Sequence, residues 1–361
     1  MPEKFDIVVV GAGMAGASLA AAIGTRASVL IVEREDHPGY HATGRSAAFW
    51  VESYGGPGVQ PLTSAAGPKL RELGVLVPRG GLTLARAGQE AALAGFIEEF
   101  RSRGVAVERL ERAAIEARLP GLHPEWTCGA LEPDTCDIDV GGLHQHYLAQ
   151  ARKSGVQLAC RSGVMAARRT GQGWLLTLAD GREVACAVVV NAAGAWADPL
   201  AELCGVQALG ITPYRRTMVQ MAMAQPVASD LPLVLDIAGT FYFKPESGRL
   251  WLSPHDETPS APMDAAPEEI DVALAIDRFE NVVDWPVSRV ERKWAGLRSF
   301  APDRLPVYGF DKRVPGFFWC AGQGGFGIQT APAGADLAAR LLLGEAAGAV
   351  EPSAFSPLRF G

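Results

Sequence analysis

Cysteine is sparse in this 361-residue chain, and none of the six occurs in a C-x-x-C pair. Cys128, Cys136, Cys160, Cys186, Cys204 and Cys320 are scattered, which argues against a disulfide framework or zinc site and for reduced cytoplasmic thiols. His144 and His146 would point their rings to different sides of a helix, with no Cys or Glu nearby to complete a set, so no metal is expected. Basic excess is also missing: the formal net charge is −7, which offers a phosphate backbone no attracting field and makes nucleic acid a poor partner. No stretch approaches the ~20 apolar residues that a spanning helix needs. The segment from Met1 to Gly13 has no basic n-region, long apolar h-region or cleavage site, so export is not expected. The expected location is cytoplasmic, with peripheral attachment to the inner face of the membrane left open.

What is present describes a folded protein: 48% hydrophobic and 20% charged residues, long enough for two lobes at about 100–200 residues each. Ile7–Val10 is a short β-branched run, Gly11 follows it, and Met14–Ile23 is an alanine-rich helical stretch. A second β-branched run, Ser28–Val32, completes a βαβ opening. Further on, Trp174–Leu178 and Arg182–Val190 flank the hairpin signal Ala179-Asp180-Gly181. Thr217–Ala224, Phe241–Phe243 and Leu250–Ser253 predict antiparallel sheet. Near the end, a strand over Gly316–Cys320 leads through a glycine-rich turn to a helix over Ala331–Leu343, with Thr330 as its cap, Pro332 in its first turn and Gly344 as its stop. Gly55–Gly67 and Thr258–Glu268, rich in proline and glycine, are expected to be loops. The expected fold is α/β: a Rossmann-like FAD-binding domain from residues 1–50, 140–205 and 300–361, with an inserted antiparallel-sheet substrate domain from 51–139 and 206–299.

Gly11-Ala-Gly13-Met14-Ala15-Gly16 fits G-x-G-x-x-G where that pattern has meaning, leaving a strand and opening a helix. The first glycine permits the turn, the second admits a pyrophosphate to the backbone, and the third lets helix and strand pack. The helix start then offers N–H donors and partial positive charge to phosphate. Glu33 ends the second strand, where a carboxylate accepts from ribose hydroxyls and repels a 2′-phosphate, which disfavours NADP. Two segments favour FAD over NAD. The run His41-Ala-Thr43-Gly44-Arg45-Ser46-Ala47-Ala48 suits close approach by a diphosphate and a flat ring. Gly322-Gln-Gly324-Gly325-Phe326-Gly327 places a further helix start against the cleft, where it would stabilise the negative charge of a reduced flavin.

Taken together, Val9–Gly13, Gly39–Ala48, Val190-Asn-Ala-Ala193-Gly194-Ala-Trp196, Trp294–Phe300 and Gly322–Thr330 resemble the D-amino-acid oxidase superfamily of flavoproteins along essentially the whole chain. Within it the likeness is strongest to the bacterial FAD-dependent D-arginine dehydrogenases. The resemblance implies noncovalent FAD, hydride transfer from the substrate Cα to flavin N5, and an imino acid that water hydrolyses to a 2-oxo acid and ammonia. It implies that Glu33, Arg34, Thr43, Gly44, Arg45, Ser46 and Ala47 hold FAD, with Val164 at the adenine. Ala193, Gly194 and Trp196 join them, as do Gly322, Gly324, Gly325, Phe326, Gly327, Ile328, Gln329 and Thr330. Arg216 and Arg298 would lie near the substrate carboxylate, Tyr242 would be its hydroxyl partner, Tyr54 a lid tyrosine, and Gly325 part of the reacting face.

A planar, permanently charged guanidinium is the best grip for a carboxylate, and the apolar setting of Arg298 makes an anion there desirable. Arg215 and Arg216 face opposite sides of a strand, so one of them can be merely solvated. Tyr242, between Phe241 and Phe243, can equally be core, and Tyr54, before Gly55 and Gly56, can equally be an exposed loop residue. Where the D-arginine enzymes carry an acidic residue for a cationic side chain, this chain has Arg79-Gly80-Gly81; where they carry histidine, it has Phe49, followed by Trp50. A pocket of Phe49, Trp50 and Gly81 would favour neutral, apolar or aromatic side chains over arginine. The remaining alternatives are a glycine or sarcosine oxidase and a flavin-binding subunit of a heteromeric dehydrogenase. The electron acceptor, oxygen or quinone, and the oligomeric state stay open.

Overall fold

The computed structural model describes residues 2–171, 173–346 and 348–361. Its first sheet has eight strands. Glu3–Val10 lies between Val29–Val32 and Glu183–Asn191, parallel to both, and Gln157–Ala159 extends the sheet beyond Val29–Val32. Val164–Thr170 and Gly173–Leu178 continue it antiparallel past Glu183–Asn191. Phe317–Ala321 adds to the end of that same strand in parallel. Strands covered on both faces read as continuous apolar runs, and Ile7–Val10 and Val29–Val32 are buried at every position. The helices Met14–Ile23, Val140–Lys153 and Ala331–Leu343 pack on one face of this sheet.

The second sheet has ten strands, with Val287–Phe300 and Thr212–Met223 as its long pair near one edge. Arg249–Ser253, Tyr242–Glu246 and Leu233–Asp236 follow as antiparallel neighbours. One junction is parallel, Leu233–Asp236 on Gly81–Arg86. Gln323–Gly324 hydrogen-bonds to Ser299 and Phe300, so the glycine-rich turn that leads into the last helix is stitched to the edge of this second sheet. The cleft therefore lies where the two sheets share one segment of chain.

Two expectations are corrected. Gly55–Gly67 is not all loop: a helix runs from Gln60 to Glu72 with Pro68 inside it. Pro61 sits in its first turn, where the missing N–H costs nothing, and Leu62, Ala66 and Leu70 recur every fourth residue to bury one face, so packing overrides the local breakers. Thr330 does not cap the last helix through its side chain; its hydroxyl donates back to the Phe326 carbonyl at 2.8 Å. The preceding turn, Phe326–Thr330, already has helical character and satisfies that end from within. Gly344 ends the helix in the left-handed conformation, as expected.

Glu132, at the end of the strand Trp126–Glu132, is buried and accepts from the Ser53 amide at 3.3 Å and from the Ser53 hydroxyl. Burial pushes its carboxyl up to about 7, against the hydrogen bonds from Ser53. A raised acid holds more protons folded than unfolded, so this group's stabilising effect is complete below the ordinary glutamate value and is lost as pH rises through about 7. Glu132→Gln keeps an acceptor for Ser53 and removes the charge. We expect its stability relative to the parent to be unchanged near pH 4 and to rise by roughly 3 kcal/mol by pH 8. Denaturant melts across that range check this, and parallel curves would refute it.

Candidate active site

A cavity of about 620 Å³ opens between the two sheets. Its first wall comes from the strand–turn–helix opening. Gly11 has φ +108°, and a Cβ there would lie 2.4 Å from the Ala192 carbonyl oxygen, so only glycine lets the two turns close on each other. Gly11, Gly13, Met14 and Ala15 line the cavity on one side, with Ala193, Gly194 and Trp196 on the other. Gly16 lies behind, against the Gly11 carbonyl. The Met14 amide donates to the Thr43 hydroxyl oxygen at 2.9 Å, which leaves the Thr43 proton free to donate into the cavity. The helix has no acidic residue in its first turn, so its positive end is uncompensated.

Glu33 is buried at the lip of the second strand. It accepts from the amides of Ala12 at 2.9 Å and Glu35 at 3.0 Å, and each oxygen keeps a second lone pair. Val164 lines the cavity near it, and Arg34 stacks on Trp196 at 4.8 Å, giving a flat-walled end suited to an adenine. His144 reaches in from the Val140–Lys153 helix and holds the glycine turn through its Nε2 and the Ala12 carbonyl, 2.9 Å apart. Burial lowers its pKa, so it serves the turn as a neutral ring. Among the described residues no group of three or more candidate ligands could hold a metal ion.

The other end is formed by Ser46, Ala47, Gly296, Leu297, Gly325, Gly327 and Ile328. Gly325 lies so close to Arg298 that a Cβ would meet Nη1 at 2.7 Å. Several residues expected at the cofactor do other work. Arg45 lines the cavity, but its guanidinium donates to the carbonyls of Ala265 and Ala295 and pairs with Asp264. Gln329 accepts from the Val51 amide and donates to the Tyr54 carbonyl, so it holds the segment carrying Tyr54 instead of facing the cavity. Phe326 packs on Tyr54 and Phe300, Thr330 is fully buried, and Gly44 and Gly322 shape turns behind the wall, whereas Gly324 lines the cavity beside Gly325.

Beyond this wall, four polar side chains converge. Arg298 Nη1 donates to the Tyr54 hydroxyl oxygen at 2.7 Å and Nη2 to that of Tyr242 at 3.3 Å. Burial opposes the charge on Arg298, yet the two phenols nearby hold its pKa above the ordinary value. Burial would raise the Tyr54 phenol, but Arg298 and Arg216 together bring it below the usual value. Arg216 is buried and faces the cavity, donating to the Asp256 carbonyl at 2.8 Å and to Glu257 at 3.3 Å. Its strand neighbour Arg215 points the other way, to Glu268 and Asp271. Arg216 thus has acidic partners, whereas no carboxylate lies within ion-pairing distance of Arg298 among the described residues.

Phe49 stands edge-on to Tyr54 and Tyr242 in an apolar cluster with Val51, Met218 and Leu233. Trp50 is a correction: it faces the opposite side, buried against the Gln60–Glu72 helix with its Nε1 donating to the Thr63 carbonyl. Successive strand residues alternate, so only Phe49 of the two faces the tyrosines, and it packs behind them without lining the cavity. Gly81 packs on Thr135 and does not line the cavity, and Arg79 is held by Asp137 at 2.6 Å. Sequence reasoning missed His255, whose Nε2 lies 3.2 Å from the Tyr54 hydroxyl, and Met218, whose sulfur takes the Tyr242 hydroxyl at 3.1 Å. Their only sequence signal was a polar Pro254-His-Asp-Glu257 run closing an apolar strand and a methionine in another.

The cavity suits FAD on this structure's own terms: a glycine turn with an uncompensated helix start, a carboxylate with spare lone pairs at one end, and small residues beside Arg298 at the other. The family model described as FAD dependent oxidoreductase (DAO) matches residues 6–341. The chain belongs to that family. Its cofactor is FAD. Among DAO relatives it is 26% identical to the mouse (Mus musculus) FAD-dependent oxidoreductase domain-containing protein 1, over 92% of this chain and 80% of that protein. Among solved structures it is similar to glycine oxidase from Geobacillus kaustophilus, with a TM-score of 0.85, 24% identity and 98% of each chain covered. It is also similar to L-proline dehydrogenase from P. horikoshii, with a TM-score of 0.86, 21% identity and 100% and 98% coverage. These two share the fold of this DAO protein. No helix among its described residues is long and apolar enough to cross a membrane.

Proposed function

We propose that this DAO-family protein oxidises the amine-bearing carbon of a D-amino acid, releasing an imino acid that water converts to a 2-oxo acid and ammonia. The reading rests on Arg298. A guanidinium this deep, donating to two phenols and with no acidic partner within ion-pairing distance among the described residues, is suited to a carboxylate, which it can hold through two parallel bonds. FAD, when bound, supplies the acceptor for the hydride from the α-carbon. The chain's part is to fix the acid group at Arg298 and Tyr242, so that the rest of the small molecule is oriented against the Gly325 wall. The residues 1–50, 140–205 and 300–361 serve the cofactor, and 51–139 with 206–299 serve the substrate. The likeness to D-arginine dehydrogenases in the glycine-rich and arginine motifs supports the D configuration.

The side-chain preference follows from Met218, which lines the cavity, with Phe49, Val51 and Leu233 packed behind it in one apolar cluster with Tyr54 and Tyr242. Arg79, in the turn before Gly81–Arg86, is paired with Asp137 away from the cavity lining, so no acidic side chain there is free for a cationic substrate. D-Met, D-Phe and D-Leu should therefore bleach the flavin anaerobically faster than D-Arg, by about tenfold or more in kcat/KM. D-Arg as the best substrate would overturn the preference. Faster bleaching by glycine, sarcosine or L-amino acids would overturn the substrate class. Re-admitting oxygen to the bleached protein, or adding a soluble quinone in its absence, then reports which of the two takes the electrons.

A further inference from the structure

His255 sits at the far side of Tyr54 in an unusual backbone conformation, φ +54°, which few residues other than glycine, asparagine, aspartate and histidine accept. The loop holding it is built, not slack. The His255 amide donates to the Ser253 hydroxyl at 3.1 Å. Arg278 from the Glu269–Glu280 helix donates to the Pro254 carbonyl, and Asp256 accepts from the amide and hydroxyl of Thr217 at 2.7 and 3.0 Å. The ring is therefore aimed: Nδ1 lies 2.5 Å from the Gly239 carbonyl and Nε2 lies 3.2 Å from the Tyr54 hydroxyl.

The proton positions follow by elimination. A carbonyl can only accept, so Nδ1 carries the hydrogen. The groups facing the ring are Arg216 and Arg298 from the two long strands, Arg278 from the helix, and the phenols of Tyr54 and Tyr242. Burial, then the charges of Arg216 and Arg298, push the imidazole down to about 2, so it is neutral at any working pH. A neutral ring protonated at Nδ1 has a bare Nε2, and the Tyr54 hydroxyl must be the donor between them. Arg298 Nη1 already occupies one lone pair of the same oxygen. The Tyr54 oxygen keeps one further lone pair, next to Arg298 and Tyr242, which line the cavity. Tyr242 differs: its oxygen accepts from Arg298, and its proton rests on the Met218 sulfur, a weak acceptor that a carboxylate displaces.

We infer that His255 is a positioning residue that orients the Tyr54 hydroxyl so that Tyr54 accepts a hydrogen bond from the substrate's amino group, while Tyr242 donates to its carboxylate. This rests on the amino-acid reading above and deepens it: the two tyrosines flanking one arginine have opposite polarity and sort the two ends of an amino acid. An acid without the amine loses nothing at Tyr54, whereas an amino acid loses its acceptor when the hydroxyl is free to turn.

Two substitutions separate the ring nitrogens. His255→Asn tolerates the left-handed backbone and can keep the donor to Gly239, but offers nothing at the Nε2 position; His255→Gln can place its carbonyl oxygen there. For the amino acid that bleaches the flavin fastest, we expect His255→Asn to lower kcat/KM about 10- to 100-fold, Tyr54→Phe to do the same, and the double variant to fall no further. His255→Gln should stay within about threefold of the parent. The deaminated acid of the same substrate, 3-phenylpropanoate if that substrate is D-Phe, should perturb the flavin spectrum with a Kd within about twofold throughout. Parental activity in His255→Asn, multiplying effects in the double variant, failure of a Gln variant that keeps the parental flavin content and melting temperature, or deaminated acid binding lost in step with turnover would each overturn the inference. If no amino acid bleaches the flavin, the functional reading itself has failed; if one does and His255→Asn is silent, only the role of His255 has.

Discussion

Replacing Arg298 with alanine is expected to lower kcat/KM for the best amino acid by about 10²–10⁴-fold while the protein stays yellow. The magnitude is that of removing one partner from a hydrogen-bonded charge pair shielded from water. Arg298 is suited to this loss because its hydrogen-bond partners among the described residues are the hydroxyls of Tyr54 and Tyr242, so its charge is balanced by whatever anion the cavity receives. Arg216 also lines the cavity and has a buried Nη1 without a protein partner, but Asp256 and Glu257 already offset its charge. Arg298→Lys should recover only part of the rate, since an ammonium cannot give two parallel bonds to a carboxylate. Turnover at the parental rate in Arg298→Ala, measured by flavin bleaching, would remove the basis of the functional reading.

Gly11→Ala should act on the cofactor instead, weakening FAD about 10- to 100-fold, because any shift that admits the methyl group strains both turns at once. The added carbon would stand 2.4 Å from the Ala192 oxygen and 2.9 Å from its carbonyl carbon, on a backbone at φ +108° that alanine avoids. Ala192 leads into Ala193 and Gly194, which line the cavity opposite Gly13, so relief on one side displaces the other. The ratio of flavin to protein absorbance after gel filtration reads the result. Full flavin content in the variant would mean that these turns do not grip the cofactor.

The two experiments divide the site along the line that separates what was legible early from what was not. The nucleotide half is local. Its strand, turn and helix start fall within Ile7–Ile23, and Glu33 is one βαβ unit away, so spacing and glycine placement reveal the chemistry directly. The pocket half is not local. Arg298 and Tyr54 are 244 residues apart and Tyr54 and His255 are 201 apart, and nothing in the spacing of such residues records that they touch. Resemblance supplied Arg298, Tyr242 and Tyr54; it did not supply His255, and it assigned Gln329 and Trp50 to walls they do not form. Trp50 failed because alternation along a strand gives only one of two neighbours to a given face, and which one depends on packing. The Gln60–Glu72 helix failed for a related reason: its prolines and glycines argue locally for a loop, and only burial of Leu62, Ala66 and Leu70 outweighs them.

By itself, then, the sequence determined an α/β dinucleotide fold with a glycine turn for a diphosphate and a carboxylate for a ribose, because those features are written in contiguous residues whose conformations follow from backbone sterics. The tertiary structure alone decided which arginine is left without an acidic partner and which way each tyrosine hydroxyl points. Those are properties of long-range neighbours: a guanidinium or a phenol has a role only once the groups that compete for its hydrogen bonds have been brought beside it.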